Sequence, residues 1–282
     1  MQSTTSADGR ETAACFRGGT GQPLLLLHGG TGTWHHWRPV LPKLTTSFDV
    51  IAPTIAAHVG GPRFPVNVRW TISTAADALE RQLDTLGVDQ AHAAGNSLGG
   101  ALGIELAKRG RVHSVVAISP AFGWEPGSPE GARTAHMFAV LVPRARKSLP
   151  VAPFVLRSAK ARRLAFREAM IHGDRLTLPE ALEFTRGAGE FTMLDALLPA
   201  IRNDADCLPA DLDQIKTPVL LAWAEHDHFV PAETCATRYR REIPGAEFRL
   251  LPAVGHVPMW DNPDLIADTI IDWTRRHEPE PE

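Results

Sequence analysis

What this chain lacks narrows its class before any motif is considered. No apolar run approaches the roughly 18 residues that a bilayer-crossing helix needs, so no membrane span is expected. Cysteine is scarce. Cys15, Cys207 and Cys235 are odd in number and widely spaced, and so read as reduced thiols rather than a disulfide or metal framework. None of them stands at a tight turn between a strand and a helix, which argues against a cysteine nucleophile. Excess positive charge is missing too: the net charge is −3, and no nucleic-acid partner is expected. Met1 to Arg10 is polar and lacks a basic segment followed by an apolar one, so no signal peptide is expected and the default location is cytoplasmic. No internal repeat is visible.

What is present is an alternation of strands and helices within 282 residues, enough for one large α/β domain or a core with an insertion. Strands are expected at Pro23–Leu27, Phe48–Ala52, Gln90–Ala94, Arg111–Ile118, Pro218–Trp223 and Glu247–Leu251. Helices are expected at Trp34–Lys43, Thr71–Leu86, Leu98–Arg109, Ala232–Arg241 and Pro258–Arg275. Such alternation implies a parallel sheet covered on both faces.

The densest signal is Gly95-Asn96-Ser97-Leu98-Gly99, which follows the apolar run Ala91–Ala94 and leads into a helical stretch. Strand, Gly-x-Ser-x-Gly and helix together are the sequence form of a nucleophile elbow, a sharp turn holding a serine in strained geometry at a sheet edge. The residues two before and two after the serine must lack side chains, or strand and helix collide. A serine that merely caps the following helix is the plainer alternative.

An exposed serine needs a base, an orienting acid and an oxyanion site. His256, in Gly255-His256-Val257-Pro258, falls on a loop after the Glu247–Leu251 strand, where parallel sheets bind ligands. Asp227 lies on the exit loop of the buried Pro218–Trp223 strand and is the candidate acid, with Glu225 as the nearby competitor. The alternative position, after the Arg111–Ile118 strand, offers Ser119-Pro120 and no carboxylate. For the oxyanion the candidates are the amides of Leu98, first in the elbow helix, and Gly30, in the His28-Gly29-Gly30-Thr31-Gly32 loop. That loop lacks the spacing and the Gly-Lys-Ser/Thr ending of a phosphate cradle. Gly29, Thr31, Trp124 and Val257 are the expected substrate contacts. His226 and His228 lack companion ligands at metal spacing, so neither a metal nor another cofactor is expected.

Together these residues resemble the α/β-hydrolase superfamily: His28-Gly29-Gly30 with Trp34 and Trp37, Gly95–Gly100, Asp227 with Pro231, Gly255-His256, and Pro258–Pro263. The resemblance implies a mostly parallel eight-stranded α/β-hydrolase sheet with helices on both faces, and a serine-hydrolase mechanism. Two features depart from the pattern. Pro53–Pro62 replaces the family's Asp and Arg-Gly-x-Gly loop, so a common loop-stabilising contact is expected to be absent, and the N-terminal hairpin is short.

The strand rhythm breaks between Ala121 and Asp211, where only helical patterns occur: Glu130–Val142, Val151–His172, Leu178–Gly187 and Phe191–Arg202. Residues 123–207 are therefore expected to form a helical cap over Ser97, with residues 1–122 and 208–282 as the hydrolase core. The cap's basic stretch, Arg144 to Arg167, reads as a solvated helical face, with Leu156, Leu164, Phe166 and Met170 toward the core or pocket. The expected activity is hydrolysis of a small or medium carboxylic ester. The nearest rival is carbon–carbon hydrolysis, because Gly95-Asn96-Ser97-Leu98-Gly99-Gly100 is also similar to the elbow of meta-cleavage-product hydrolases. Epoxide hydrolysis is disfavoured because those relatives carry Asp at the elbow. A ligand-binding member with weak catalysis is the alternative from another class. The partner is a small molecule, and a homo-oligomer is left open.

Overall fold

A computed structural model describes residues 5–6, 9–12, 14–202 and 207–278. The polar stretch read for a signal sequence lies partly outside these residues, as do positions 203–206 of the expected cap.

The strands are β1 Thr5–Ser6, β2 Gly9–Glu11, β3 Cys15–Gly18, β4 Gln22–Leu27, β5 Phe48–Pro53, β6 Ala91–Asn96, β7 Val112–Ile118, β8 Val219–Ala224 and β9 Glu247–Leu251. They form one sheet in the order β1-β2-β3-β5-β4-β6-β7-β8-β9. The six strands β4 to β9 pair in parallel, and β3 joins them antiparallel through β5. The body is thus seven-stranded, with β1 and β2 as a short extension of its edge, rather than eight-stranded. β3 escaped the sequence reading because a strand of four residues at a sheet edge carries almost no hydrophobic period.

Leu24–Leu27 shows why the body is parallel and covered. Leu25 and Leu27 enter one core, and Leu24 and Leu26 the other. Side chains alternate along a strand, so a run of four leucines fits only a strand buried on both faces. Full burial of each contributes about 2 kcal/mol of transfer free energy. After β4 comes a 3-10 helix, Trp34–Val40, and then α1 Leu41–Leu44. Pro39 and Pro42, which lack an amide hydrogen, break up the single helix expected there. α2 Ile72–Thr85 and α3 Leu98–Lys108 cover the face of Leu25 and Leu27.

Among the described residues five α-helices lie between β7 and β8: α4 Pro129–Ser148, α5 Ala152–Val155, α6 Ala159–Phe166, α7 Leu178–Gly189 and α8 Leu194–Ile201. The expected Val151–His172 helix is split, with Ser158 capping α6 by accepting from the Ala161 amide. α4 packs on α7 and α8. Arg146 fixes the packing by donating to the carbonyls of Gly189 (2.9 Å) and Phe191 (3.1 Å). Leu156 and Met170 are buried and Phe166 half-buried, but Leu164 is 63% exposed, contrary to its expected inward placement.

The C-terminal part adds α9 Ala232–Cys235, α10 Thr237–Glu242 and α11 Pro263–Arg276. α11 starts later than the expected Pro258, because Asn262 accepts from the Leu265 amide and Pro263 takes the first helical turn. It covers the face of Leu24 and Leu26 with Ile266, Ile270 and Trp273. Among the described residues no helix is long and apolar enough to cross a membrane.

Candidate active site

The carboxyl ends of β4, β6, β7, β8 and β9 converge on one rim. Thr31, Ser97, Ser119, Phe122 and Ala253 all take positive φ on the loops just beyond those strands. Such strain persists only where surrounding contacts over-determine it, and it concentrates at functional sites. Ser97 has φ 56° and ψ −114°. Its amide donates to the Ile118 carbonyl (2.9 Å), and its own carbonyl accepts from Ala101 and Ala121. The flanking glycines are obligatory for steric reasons: a Cβ on Gly95 would sit 2.2 Å from the Gly99 carbonyl oxygen, and one on Gly99 2.1 Å from that of Leu27.

β8 and β9 deliver the other two candidates. His256 Nδ1 donates to Asp227 Oδ2 at 2.7 Å, and both side chains are buried. Asp227 Oδ1 accepts from the amides of Phe229 (2.9 Å) and Val230 (2.8 Å), so its carboxylate is held from both sides. The competitor Glu225 points elsewhere and accepts from the Ala253 amide (2.8 Å). Phe229 stacks on the His256 ring at 4.9 Å between centroids. Ser97 and His256 line the same cavity. Among the described residues no hydrogen bond joins the Ser97 hydroxyl to the His256 ring, a contact that commonly tightens only with substrate bound.

Leu98 and Gly30 also line that cavity, so both candidate oxyanion amides belong to residues beside Ser97. The Gly30 loop is braced by His28, whose Nε2 accepts from the Ile55 amide (2.9 Å) while Nδ1 donates to the Gly29 carbonyl (2.8 Å). That pair of bonds selects the neutral Nδ1–H tautomer. Burial, followed by the neighbouring His58, holds His28 well below the usual imidazole range. After β5, where the Asp and Arg-Gly-x-Gly of the resembled family are missing, the Ile55 amide and the His58 ring, 4.8 Å from His28, meet the Gly30 loop.

Of the expected substrate contacts, Trp124 lines the cavity. Gly29 sits behind Ser97, where a Cβ would be 3.2 Å from that of Ser97. Thr31 abuts α7, because its carbonyl oxygen lies where a Cβ on Gly187 would fall. Val257 is buried with its amide donating to Ala169 (2.8 Å). His226 and His228 are exposed. Among the described residues no group of three or more His, Cys, Asp or Glu is placed to hold a metal ion.

Two bracing residues were not singled out from the sequence. Asn96 Nδ2 donates to the carbonyls of His256 (2.8 Å) and Ile118 (3.3 Å), tying the elbow to the histidine loop. Asp261 Oδ2 accepts from Gly255 (2.8 Å) and Ile171 (3.0 Å), and Oδ1 from His172 (2.8 Å). One buried carboxylate thereby joins the histidine loop to the segment after α6. The only sequence signals were an Asn beside the elbow serine and an Asp five positions after His256.

The cavity beside Ser97 is narrow and partly open to solvent. Apart from Ser97, His256, Trp124 and Thr134, its lining among the described residues is glycine and hydrocarbon side chains, with no Lys or Arg.

The sequence profile of the alpha/beta hydrolase family matches residues 24–269. The chain is 32% identical over 198 residues to the epoxide hydrolase EphH of Mycobacterium tuberculosis, covering 69% of this chain and 91% of that protein. It is 24% identical to a 2-hydroxy-6-oxo-6-phenylhexa-2,4-dienoate hydrolase of Burkholderia cepacia, covering 90% and 88%. Among solved structures, a thermophilic esterase from Thermogutta terrifontis superposes with a TM-score of 0.69 at 22% identity, covering 94% of each chain.

Proposed function

This chain belongs to the α/β-hydrolase family, and we propose that it is a serine hydrolase cleaving a small or medium carboxylic ester through an acyl-enzyme. The observation that carries the reading is the buried Asp227–His256 hydrogen bond beside a serine at positive φ that lines the same cavity. In this reading His256 Nε2 takes the Ser97 proton as Oγ attacks the ester carbonyl. Asp227 holds the ring in the required tautomer and stabilises the imidazolium. The Leu98 and Gly30 amides receive the oxyanion of the tetrahedral intermediate. Collapse expels the alcohol, protonated by His256, and leaves the acyl group on Ser97. His256 then draws a proton from water, whose oxygen attacks the acyl carbon and releases the acid. Residues 123–207 act as the cap that shapes the pocket, because Trp124, Thr134, Phe138, Leu197 and Ile201 in its lining all come from that segment.

The resemblance to an epoxide hydrolase does not transfer its reaction. A carboxylate that opens an epoxide leaves an ester, which water can cleave. A serine oxygen would leave an ether, which water cannot, so Ser97 would be alkylated after one turnover. Carbon–carbon hydrolysis of a dienoate is the second reading, and it is disfavoured because the carboxylate of such a substrate would meet no Lys or Arg in the described lining. A vestigial ligand-binding role would leave the strain at Ser97 without a purpose.

Replacing Ser97 with Ala should abolish turnover of p-nitrophenyl acetate while leaving the melting temperature near that of the parent. A fluorophosphonate should label the parent at Ser97 and fail to label the variant. Turnover retained in the variant would remove the serine from the mechanism.

A further inference from the structure

Two side chains in the cavity beside Ser97 carry polar atoms that the fold leaves without a partner. Trp124 Nε1 and Thr134 Oγ1 are both buried and neither makes a hydrogen bond. Both residues line the cavity together with Ser97 and His256. The remaining walls near them are carbon: Phe122, Phe138, Leu197, Ile201 and Phe229.

Thr134 breaks a habit of this chain, and Trp124 stands out by its place. Thr85, Thr185, Thr269 and Thr274 all lie in helices and donate to the carbonyl four residues back. Thr134, inside α4, makes no such bond. Phe138 follows it by one helical turn and lines the same cavity, which puts this face of α4 toward the pocket. Among the tryptophans, Nε1 of Trp34, Trp223 and Trp260 each donates to a backbone carbonyl. Trp37 and Trp273 also have an unpaired Nε1, but they lie in the core on the opposite face of the sheet and do not line this cavity. Among the described residues Trp124 and Thr134 are thus an orphaned polar pair that shares a cavity with the elbow serine. A buried polar group without a partner is costly, and in a pocket wall a bound ligand is one means of satisfying it.

We propose that Trp124 and Thr134 are specificity-determining residues that read a neutral hydrogen-bond acceptor, a keto or ether oxygen, in the part of the ester filling this cavity. The inference rests on the esterase reading and narrows it from any small ester to oxygen-substituted ones. The acceptor is neutral because no Lys or Arg among the described lining residues could balance a carboxylate there. An indole N–H only donates, and a hydroxyl can donate to the second lone pair of the same oxygen. A plain hydrocarbon chain of equal length would fill the space and leave both groups unpaired.

Two matched ester pairs test this. One carries the oxygen in the acyl part, p-nitrophenyl levulinate against p-nitrophenyl valerate. The other carries it in the alcohol part, methoxyethyl acetate against butyl acetate. In at least one pair kcat/KM should favour the oxygenated ester by about tenfold or more. Thr134→Val should bring that ratio toward one, and Thr134→Ser, which keeps the hydroxyl, should preserve it. Trp124→Phe should shrink the ratio as well; should that variant fail to fold by circular dichroism, the threonine pair decides. Ratios at or below one in both pairs, or a ratio that survives Thr134→Val, overturn the proposal. Calorimetric binding of levulinate and valerate esters, and of the acetate pair, to Ser97→Ala separates this inference from the one beneath it. Preferential binding of the oxygenated ester without turnover by the parent would sink the esterase reading and keep the pocket assignment. Turnover of esters with equal binding would do the reverse.

Discussion

The rim at the strand ends and the helical segment between β7 and β8 are built on opposite plans. On the rim nearly every group near Ser97 is held more than once. Asp227 is fixed by two amides and a ring, His28 by an amide and a carbonyl, and the elbow by glycines that tolerate no Cβ. The helical segment is held by apolar packing of residues such as Val142, Leu156, Met170 and Phe191 and by long side chains such as Arg146 and Arg162, and it leaves Phe154 and Leu164 in solvent. The groups proposed to carry the chemistry sit on the first region, and part of the pocket wall comes from the second. A site made this way can keep one reaction while its walls change.

The largest expected effect breaks the rim at its acid. Asp227→Asn keeps the shape but offers an amide where His256 needs an acceptor, so the ring is drawn toward the wrong tautomer. A loss on the order of 10⁴-fold in kcat is expected for a p-nitrophenyl ester. A loss below tenfold would mean that Asp227 does not orient the base.

Asp261 is where the two regions meet, and it gives the next largest effect. Its oxygens accept from Gly255 on the histidine loop and from Ile171 and His172 beyond α6. Asp261→Asn turns a donor toward these amides and lets the histidine loop drift. Displacing a catalytic group by about 1 Å costs on the order of 10²-fold. As a positioning residue it should lower kcat while KM stays near the parent value. An equal fall in activity and melting temperature, with KM raised, would make Asp261 a purely structural clamp.

The same division explains what could be read in the sequence. Ser97, His256 and Asp227 stand out as candidates because each sits in a local pattern that physics constrains, glycines two away from the serine and loops leaving apolar strands, and the structure gathers them at one cavity. The choice of Asp227 over Glu225 was legible only as an order of preference, and geometry separates them. His28, Asn96 and Asp261 act on backbone groups up to 160 residues away, and a lone Asn or Asp announces no such partner. The 3-10 turn at Trp34–Val40 and the late start of α11 are proline and capping effects that a 3.6-residue period does not show.

A third test sets acid stability of the rim against that of the rest. His36 is pushed down to about 3 and His58 to about 4, in both cases by burial first, and His28 is lowered as well. The unfolded imidazoles titrate near ~6.5. Between about pH 6.5 and 4 the unfolded chain therefore binds more protons than the folded one. Stability is complete above that window and falls as pH drops through it. Melting temperatures measured from pH 7 to 4 should decline steadily, and His58→Phe should flatten the decline. A flat profile in the parent would show that these rings are not held neutral by the fold.

The smallest effects lie in the helical segment, at two positions in α6 whose roles reverse what their residue types suggest. Arg162 belongs to the basic stretch that reads as a solvated face, yet its guanidinium donates to the carbonyls of Leu156 (2.8 Å), Arg157 (3.0 Å) and Asp174 (3.3 Å). Leu164, two residues on, reads as core and is largely in solvent. Arg162→Met should therefore destabilise by about 1 kcal/mol, the scale of partly exposed charge-assisted hydrogen bonds. Leu164→Lys should shift stability by less than about 0.5 kcal/mol, because a surface position away from caps and packing has little to lose. Urea denaturation measures both. If the leucine variant loses more than the arginine variant, α6 packs with its other face inward.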